Sequence, residues 1–229
     1  MNQRILFSVE HLYPVGDAQL LLPLAKELVA ANNDIVVAVL GQRTSEAQVW
    51  IDAGIRVFFV NGDDTTPLHT SRDAFAVVRQ LRSLIRLVEP DVVHAWCGEA
   101  IWLTLLATQP LPLLTELPEF RLLATELSQH PEKNFLRGAI EDIISSRIET
   151  LIVPHPLIAD DLAAEGIIAQ NVVQIPNGIR IGDFDPANQT ALTDRGARSR
   201  PELRRSVRET MGVSGDAYLA IAVADLVPR

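Results

Sequence analysis

Short β-branched apolar runs alternate with longer stretches of helical period along this chain, and few architectures accommodate that order. The apolar runs fall at residues 5–9, 35–40, 57–60, 91–95, 113–117, 151–153 and 172–175. Between them lie helical patterns at 18–31, 45–53, 74–88, 100–107, 135–148 and 158–165. The run at 35–40 (Ile-Val-Val-Ala-Val-Leu) is apolar without alternation, as in a strand covered on both faces. Gly54 closes the second helical pattern and Glu89-Pro90 the third. Strands alternating with helices specify an α/β fold: a Rossmann-like parallel sheet with helices on both faces.

The texture changes after Pro176. Residues 181–200 are rich in Gly, Asp, Asn, Thr and Arg without an apolar period, which reads as a linker. A helix is predicted over 201–211, with Pro201 in its first turn and Gly212 past its end, then a single strand over 218–223. The expected division is a Rossmann-like domain over 1–180, the linker 181–200, and the incomplete opening of a second α/β domain over 201–229. A chain of 229 residues suits about one domain and a fragment. A strand at 218–223 without its neighbours is an exposed edge, expected to pack back, pair between chains or fray.

Composition narrows the function classes. A formal charge of −9 repels a phosphate backbone, so nucleic acid is excluded as the expected partner. The single cysteine, Cys97, follows an apolar strand and reads as a buried thiol without disulfide or metal-cluster chemistry. The N-terminal apolar run is too short for a signal peptide and is broken by Glu10 and His11. No uncharged apolar stretch reaches about 20 residues. A soluble, cytoplasmic protein is expected.

Ligands of open parallel sheets bind where strands run into helices, at the carboxyl edge. The first such loop runs from Glu10 through His11, Tyr13 and Gly16 to Asp17, and a glycine before a helix lets backbone N–H groups meet an anion. The dinucleotide fingerprint G-x-G-x-x-G is absent, which argues against a nicotinamide dehydrogenase.

Several segments carry a family resemblance. Gly16-Asp17-Ala18-Gln19 ahead of an apolar helix resembles the Gly-Gly-Ala-Glu loop of the group 1 (family 4) glycosyltransferases. Asp91-Val92-Val93-His94-Ala95 is similar to their fourth strand, and Ile175-Pro176-Asn177-Gly178-Ile179 with Phe184-Asp185-Pro186 to their Ile-Pro-Asn-Gly and Phe-x-Pro segments. Residues 203–212 and 226–229 resemble the start of their second domain. The resemblance runs through essentially the whole chain, in order.

It implies the N-terminal, acceptor-side domain of a GT-B glycosyltransferase, truncated as the second domain begins. Such an enzyme moves a sugar with retention from a nucleotide-diphospho-sugar, used as co-substrate, to a carbohydrate or lipid-linked hydroxyl acceptor. It needs no metal or other cofactor, because cationic side chains and helix N-termini carry the leaving diphosphate. The nucleotide would be held by the missing C-terminal domain through a Glu-x7-Glu motif, so this chain alone is expected to be inactive. Gly16 and Asp17 would form the donor diphosphate loop, and Asn177 and Gly178 a positive-φ turn shaping the cleft.

The chain also departs from the family. Asp17 replaces the second loop glycine, Trp96 the second histidine after the fourth strand, and Asp225 an arginine of the second domain. Leu117 stands at the position expected for the histidine after the fifth strand. These changes fit an alternative, a non-catalytic GT-B-like relative that binds carbohydrate or protein. A nucleotide-sugar epimerase is a third reading, with a poor fit to the Pro-Asn-Gly segment.

Glu10, His11, Tyr13, His94, Trp96, Glu116 and Glu119 are the remaining cleft candidates, with Glu116 and His11 as candidate catalytic acid–base groups. Against each stands a structural reading: a solvated loop residue, or for His94 a satisfied core histidine. On the helix at 74–88 and the turn before it, Arg72, Arg79, Arg82 and Arg86 fall in one stripe, which can meet anionic lipid or a phosphorylated acceptor as a peripheral membrane contact. A solvated face is the competing reading for an acidic chain. The arginine run from 195 to 208 is interleaved with acids and lacks aromatics, and reads as solvated.

Overall fold

The computed structural model describes residues 2–13, 17–60, 71–110, 116–127, 145–164, 170–178 and 200–218. They form two compact units, Met1–Asn177 and Gly178–Arg229.

The first unit is a sheet of seven parallel strands in the order β3-β2-β1-β4-β5-β6-β7. The strands are β1 (Arg4–Val9), β2 (Asp34–Val39), β3 (Arg56–Phe59), β4 (Val92–Trp96), β5 (Arg121–Thr125), β6 (Thr150–Val153) and β7 (Val172–Gln174). The helices are α1 (Asp17–Ala30), α2 (Ala47–Asp52), α3 (Ser71–Val88), α4 (Gly98–Thr108) and α5 (Pro156–Ala164), with a 3₁₀ turn at Ser145–Arg147. Strand order reverses between β1 and β4, which pair directly from Ile5↔Val92 to Val9↔Trp96. That reversal opens a crevice at the carboxyl ends of the two strands.

Alternation along each strand divides the interior into two cores. Ile5, Phe7 and Val9 of β1 join Val37 and Val39 of β2, under Leu21 and Ala25 of α1 and Trp50 of α2. Leu6, Val36, Val93 and Ala95 face the other way, against Leu81 and Ile85 of α3 and Leu103 of α4. On that second face the Ser8 and Thr104 hydroxyls bond at 2.5 Å, so β1 and α4 bury a satisfied polar pair. Central strands are buried on both faces, whereas the edge strands β3 and β7 are half-exposed. Gly54 and Gly212 follow α2 and the last helix in left-handed conformations, as their sequence positions predict.

The fifth strand differs from expectation. It is Arg121–Thr125 and not 113–117, of which residues 113–115 lie outside the described residues. Prolines at 110, 112 and 118 hedge the earlier run, and proline donates no ladder hydrogen bond. A strand between two neighbours needs its donors, and the run at 121–125 pairs from Val92↔Arg121 to Trp96↔Thr125. The helix expected at 135–148 lies mostly outside the described residues, as does the linker.

In the second unit, α6 (Arg200–Thr210) is closed by Arg208, whose guanidinium donates to the carbonyls of Ser214 and Ala217. The strand expected at 218–223 lies outside the described residues except for exposed Tyr218, and Asp225 lies outside them too.

Candidate functional site

The two edges of the sheet differ in chemistry. At the amino edge, charges satisfy one another across strands. Asp34 takes Arg4 at 2.9 Å and Arg56 at 2.7 Å, Arg121 pairs with Glu149 at 2.7 Å, and Asp91 accepts the Arg4 N–H at 2.7 Å. Desolvation opposes ionisation of Asp34, but the bonds to Arg4 and Arg56 outweigh it and lower its pKa.

The carboxyl edge carries a buried ring nitrogen of His11 without a described partner and a positive-φ turn after β4. After β1, Leu12 is buried in the α1/α2 core and pins the loop, so that His11 and Tyr13 flank an anchored residue. Their rings lie 5.1 Å apart. The Nδ1 of His11 is buried and has no hydrogen-bond partner among the described residues, an acceptor or donor available to a ligand. The Glu10 carbonyl accepts the Gly41 N–H at 2.9 Å. A Cβ on Gly41 would stand 2.5 Å from that oxygen, so only glycine after β2 permits the approach. Asp17 is the first residue of α1, while Gly16 lies outside the described residues.

After β4 the chain turns sharply. Cys97 adopts φ 63° and ψ 153°, a region essentially reserved for glycine and costing about 1–3 kcal/mol. Gly98 follows with φ 46° and begins α4. Cys97 gives α4 no side-chain cap. Glu126, the residue after β5, supplies one instead: its Oε2 accepts the Gly98 N–H at 3.1 Å and its Oε1 the Leu127 N–H at 3.0 Å. Glu126 is 1% exposed. After β6, the His155 Nδ1 accepts the Leu157 N–H at 3.2 Å and caps α5, with Pro156 as its first helical residue.

The residues singled out in the sequence are therefore scattered. Glu10, His11 and Tyr13 stand at the carboxyl edge. His94 and Trp96 do not face it: both are buried within β4 in the α1/α2 core. The His94 ring lies 5.0 Å from that of Phe7 and 5.6 Å from that of Trp96, and its Nε2 bonds the Thr125 hydroxyl at 2.8 Å. Burial pushes its pKa down to about 4, so it is a neutral core residue near pH 7.

Glu116 and Glu119 precede β5 and lie at the amino edge, opposite the crevice. They line a cavity of about 610 Å³ with Arg82, Thr108, Phe120 and Arg147. The correction follows from the shift of the fifth strand, and it places Glu126, not Leu117, directly after that strand. Glu126 escaped the sequence reading for the same reason, since recognising 121–125 as the strand would have put an acid at its carboxyl end. Asn177 and Gly178 are exposed past β7, and neither adopts the left-handed conformation expected of them.

The arginine stripe on α3 also divides. Arg82 is buried and donates through one nitrogen to the carbonyls of Ala107 and Gln109, at 2.9 and 2.8 Å, where α4 ends. Burial, Arg86 and Arg147 lower its pKa, yet a guanidinium stays charged. Arg79 and Arg86 remain exposed beside Phe75 and Leu87, and the Arg72 side chain is outside the described set. No helix among the described residues is long and apolar enough to cross a membrane.

A doubly wound parallel sheet with helices between its strands defines a Rossmann-like domain, the half-unit of GT-B proteins. Residues 16–178 match the glycosyl transferase 4-like domain, and the chain belongs to that family. The fold recurs in a glycosyltransferase from Rickettsia africae ESF-5 (TM-score 0.65, 15% identity, 94% of this chain and 51% of that one). It recurs in HepE of Anabaena, solved in complex with UDP and glucose (TM-score 0.61, 16% identity, 92% and 50%). A UDP-N-acetylglucosamine 2-epimerase from Rickettsia bellii shares it as well (TM-score 0.53, 14% identity, 93% and 52%). The chain thus spans about half the length of these proteins. Comparison with curated proteins gave no significant match.

Proposed function

We propose that the chain is the acceptor-side half of a glycosyltransferase that moves a glycosyl group from a nucleotide-diphospho-sugar to a hydroxyl of a carbohydrate or lipid-linked acceptor. The observation that carries this reading is the family match over residues 16–178. Since the fold is shared with an epimerase, the family match and not the fold separates transfer from epimerisation. The UDP and glucose in the HepE structure support a nucleotide sugar as donor. Retention and independence of metal and cofactor follow from the resemblance of the Gly16 loop and the Pro176-Asn177-Gly178 segment to group 1 enzymes.

In this reading the start of α1 faces the leaving diphosphate. Backbone N–H groups stabilise the negative charge that develops there as the glycosidic bond to the donor breaks. The chain alone, offered UDP-, GDP- and ADP-sugars with sugar acceptors, is expected to release no nucleoside diphosphate. Joined to a second Rossmann domain carrying Glu-x7-Glu, it is expected to transfer. Turnover by the chain alone, or none by the joined protein with any donor, would sink the proposal. The second reading, a non-catalytic carbohydrate- or protein-binding relative, is favoured by Asp17, which opens α1 with a carboxyl residue where a diphosphate would lie. Activity gained by Asp17→Gly in the joined protein would support it.

A further inference from the structure

Along the amino edge of the sheet, Arg4, Arg56 and Arg121 each meet a carboxylate on or beside a neighbouring strand, at 2.9, 2.7 and 2.7 Å. One corner of that edge differs. A cavity of about 610 Å³ opens between the end of α4, the approach to β5 and the 3₁₀ turn before β6, and Glu116, Glu119 and Arg147 line it. These three side chains are exposed, and among the described residues they enter no ion pair or hydrogen bond, with one another or with a neighbour. Opposite charges therefore border one space without closing on each other.

The walls of this space are built. Leu117 and Phe120 pack against the α3/α4 core, and Thr108 is buried at the end of α4. Arg82 is 6% exposed and is held by the carbonyls of Ala107 and Gln109. Burial first, then the charges of Arg86 and Arg147, lower its pKa, so the two guanidinia lining the cavity repel each other. An anion bound beside them relieves that repulsion, and a carboxylate matches the fork of a guanidinium. Glu116 and Glu119 stand three residues apart on the segment that also carries Phe120. Carboxylates beside an aromatic ring suit an ammonium group, which offers three donors and is attracted to the ring face. The volume lies within the range of about 300–1,000 Å³ usual for small-ligand pockets.

We propose that this cavity binds a small zwitterion of the amino-acid or short-peptide class, with its carboxylate on Arg147 and Arg82, its ammonium on Glu116 and Glu119, and its apolar part against Leu117 and Phe120. Two acids and two arginines line the cavity, so a ligand with one charge of each sign matches it. A phosphomonoester, at about −1.5 to −2, would bring excess negative charge to a space that two acids already border. The cavity lies on the edge opposite the crevice, so its ligand and a crevice ligand can be held together. The proposal stands independently of the transfer reading.

Glycyl-leucine is the probe, titrated into the full chain while backbone amide resonances are followed. The amides of Phe120 and Arg147 are expected to shift saturably. N-acetyl-glycyl-leucine lacks the ammonium and glycyl-leucinamide the carboxylate. Each is expected to bind roughly tenfold or more weakly, the loss of one charge-assisted contact. In Arg147→Gln the preference for glycyl-leucine over its amide is expected to fall severalfold, with the preference over the acetylated peptide kept. In the double variant Glu116→Gln, Glu119→Gln the pattern is expected to reverse. All three positions are exposed, so the variants should fold as the wild type does. No saturable shift with glycyl-leucine would overturn the proposal. So would blocked peptides that bind as tightly, or variants that keep both wild-type preferences.

Discussion

Two buried groups show how much a single position can conceal. His94 and Arg82 have the composition of functional residues and the surroundings of structural ones. His94 titrates near 4 in the folded chain against 6.5 when exposed. Below pH 6.5 the unfolded chain binds a proton that the folded chain refuses. Its contribution is therefore full above 6.5 and declines as pH falls, by about 1.4 kcal/mol per unit and about 3 kcal/mol in all by pH 4. Urea unfolding from neutral to mildly acidic pH should show this loss, and His94→Gln should flatten it by removing the titrating ring. An equally steep decline in the variant would mean that another group carries the acid sensitivity.

At the level of helices and strands, tertiary contacts finish what local signals leave open. The carboxyl end of α4 has no basic residue in its last turn and is capped from α3 by Arg82. Loss of that guanidinium leaves the Ala107 and Gln109 carbonyls short of a donor, so Arg82→Ala should cost about 2–3 kcal/mol in chemical denaturation. Arg79→Ala, on the exposed side of the same helix, should stay within about 0.5 kcal/mol of wild type. Equal effects would restore the view of the arginines as one surface stripe. Sequence position located α3 and its apolar face, because period 3.6 is a local property. It could not show that Arg82 bends into the core, because the carbonyls that attract it lie 25 residues or more away.

At the scale of the molecule, every residue of the two apolar cores among the described residues falls between Ile5 and Leu162. A fragment of residues 1–177 is accordingly expected to fold by itself. Cooperative urea unfolding and a dispersed amide spectrum would verify this, and a fragment without a cooperative transition would show that the cores need more than this unit.

The periodicity of apolar residues was sufficient for the fold class: six of the seven strands fall within a residue or so of where alternation and β-branching place them. The motif segments around Gly16, Asp91 and Asn177 were sufficient for the family, since their residue types stand in the family's order along the chain. The site was less legible. Glu10, His11 and Tyr13 could be placed because they directly follow a well-marked strand. Glu116 and Glu119 went to the wrong edge because two apolar runs, 113–117 and 121–125, competed for one strand, and only pairing with β4 and β6 decides between them. Burial of His94 among Phe7, Trp96 and Thr125, and delivery of Glu126 to the start of α4, are likewise decided by packing. Local sequence determines the period of a segment and where it can turn, whereas its partner, and hence the edge and the depth at which each side chain ends, depends on residues far along the chain.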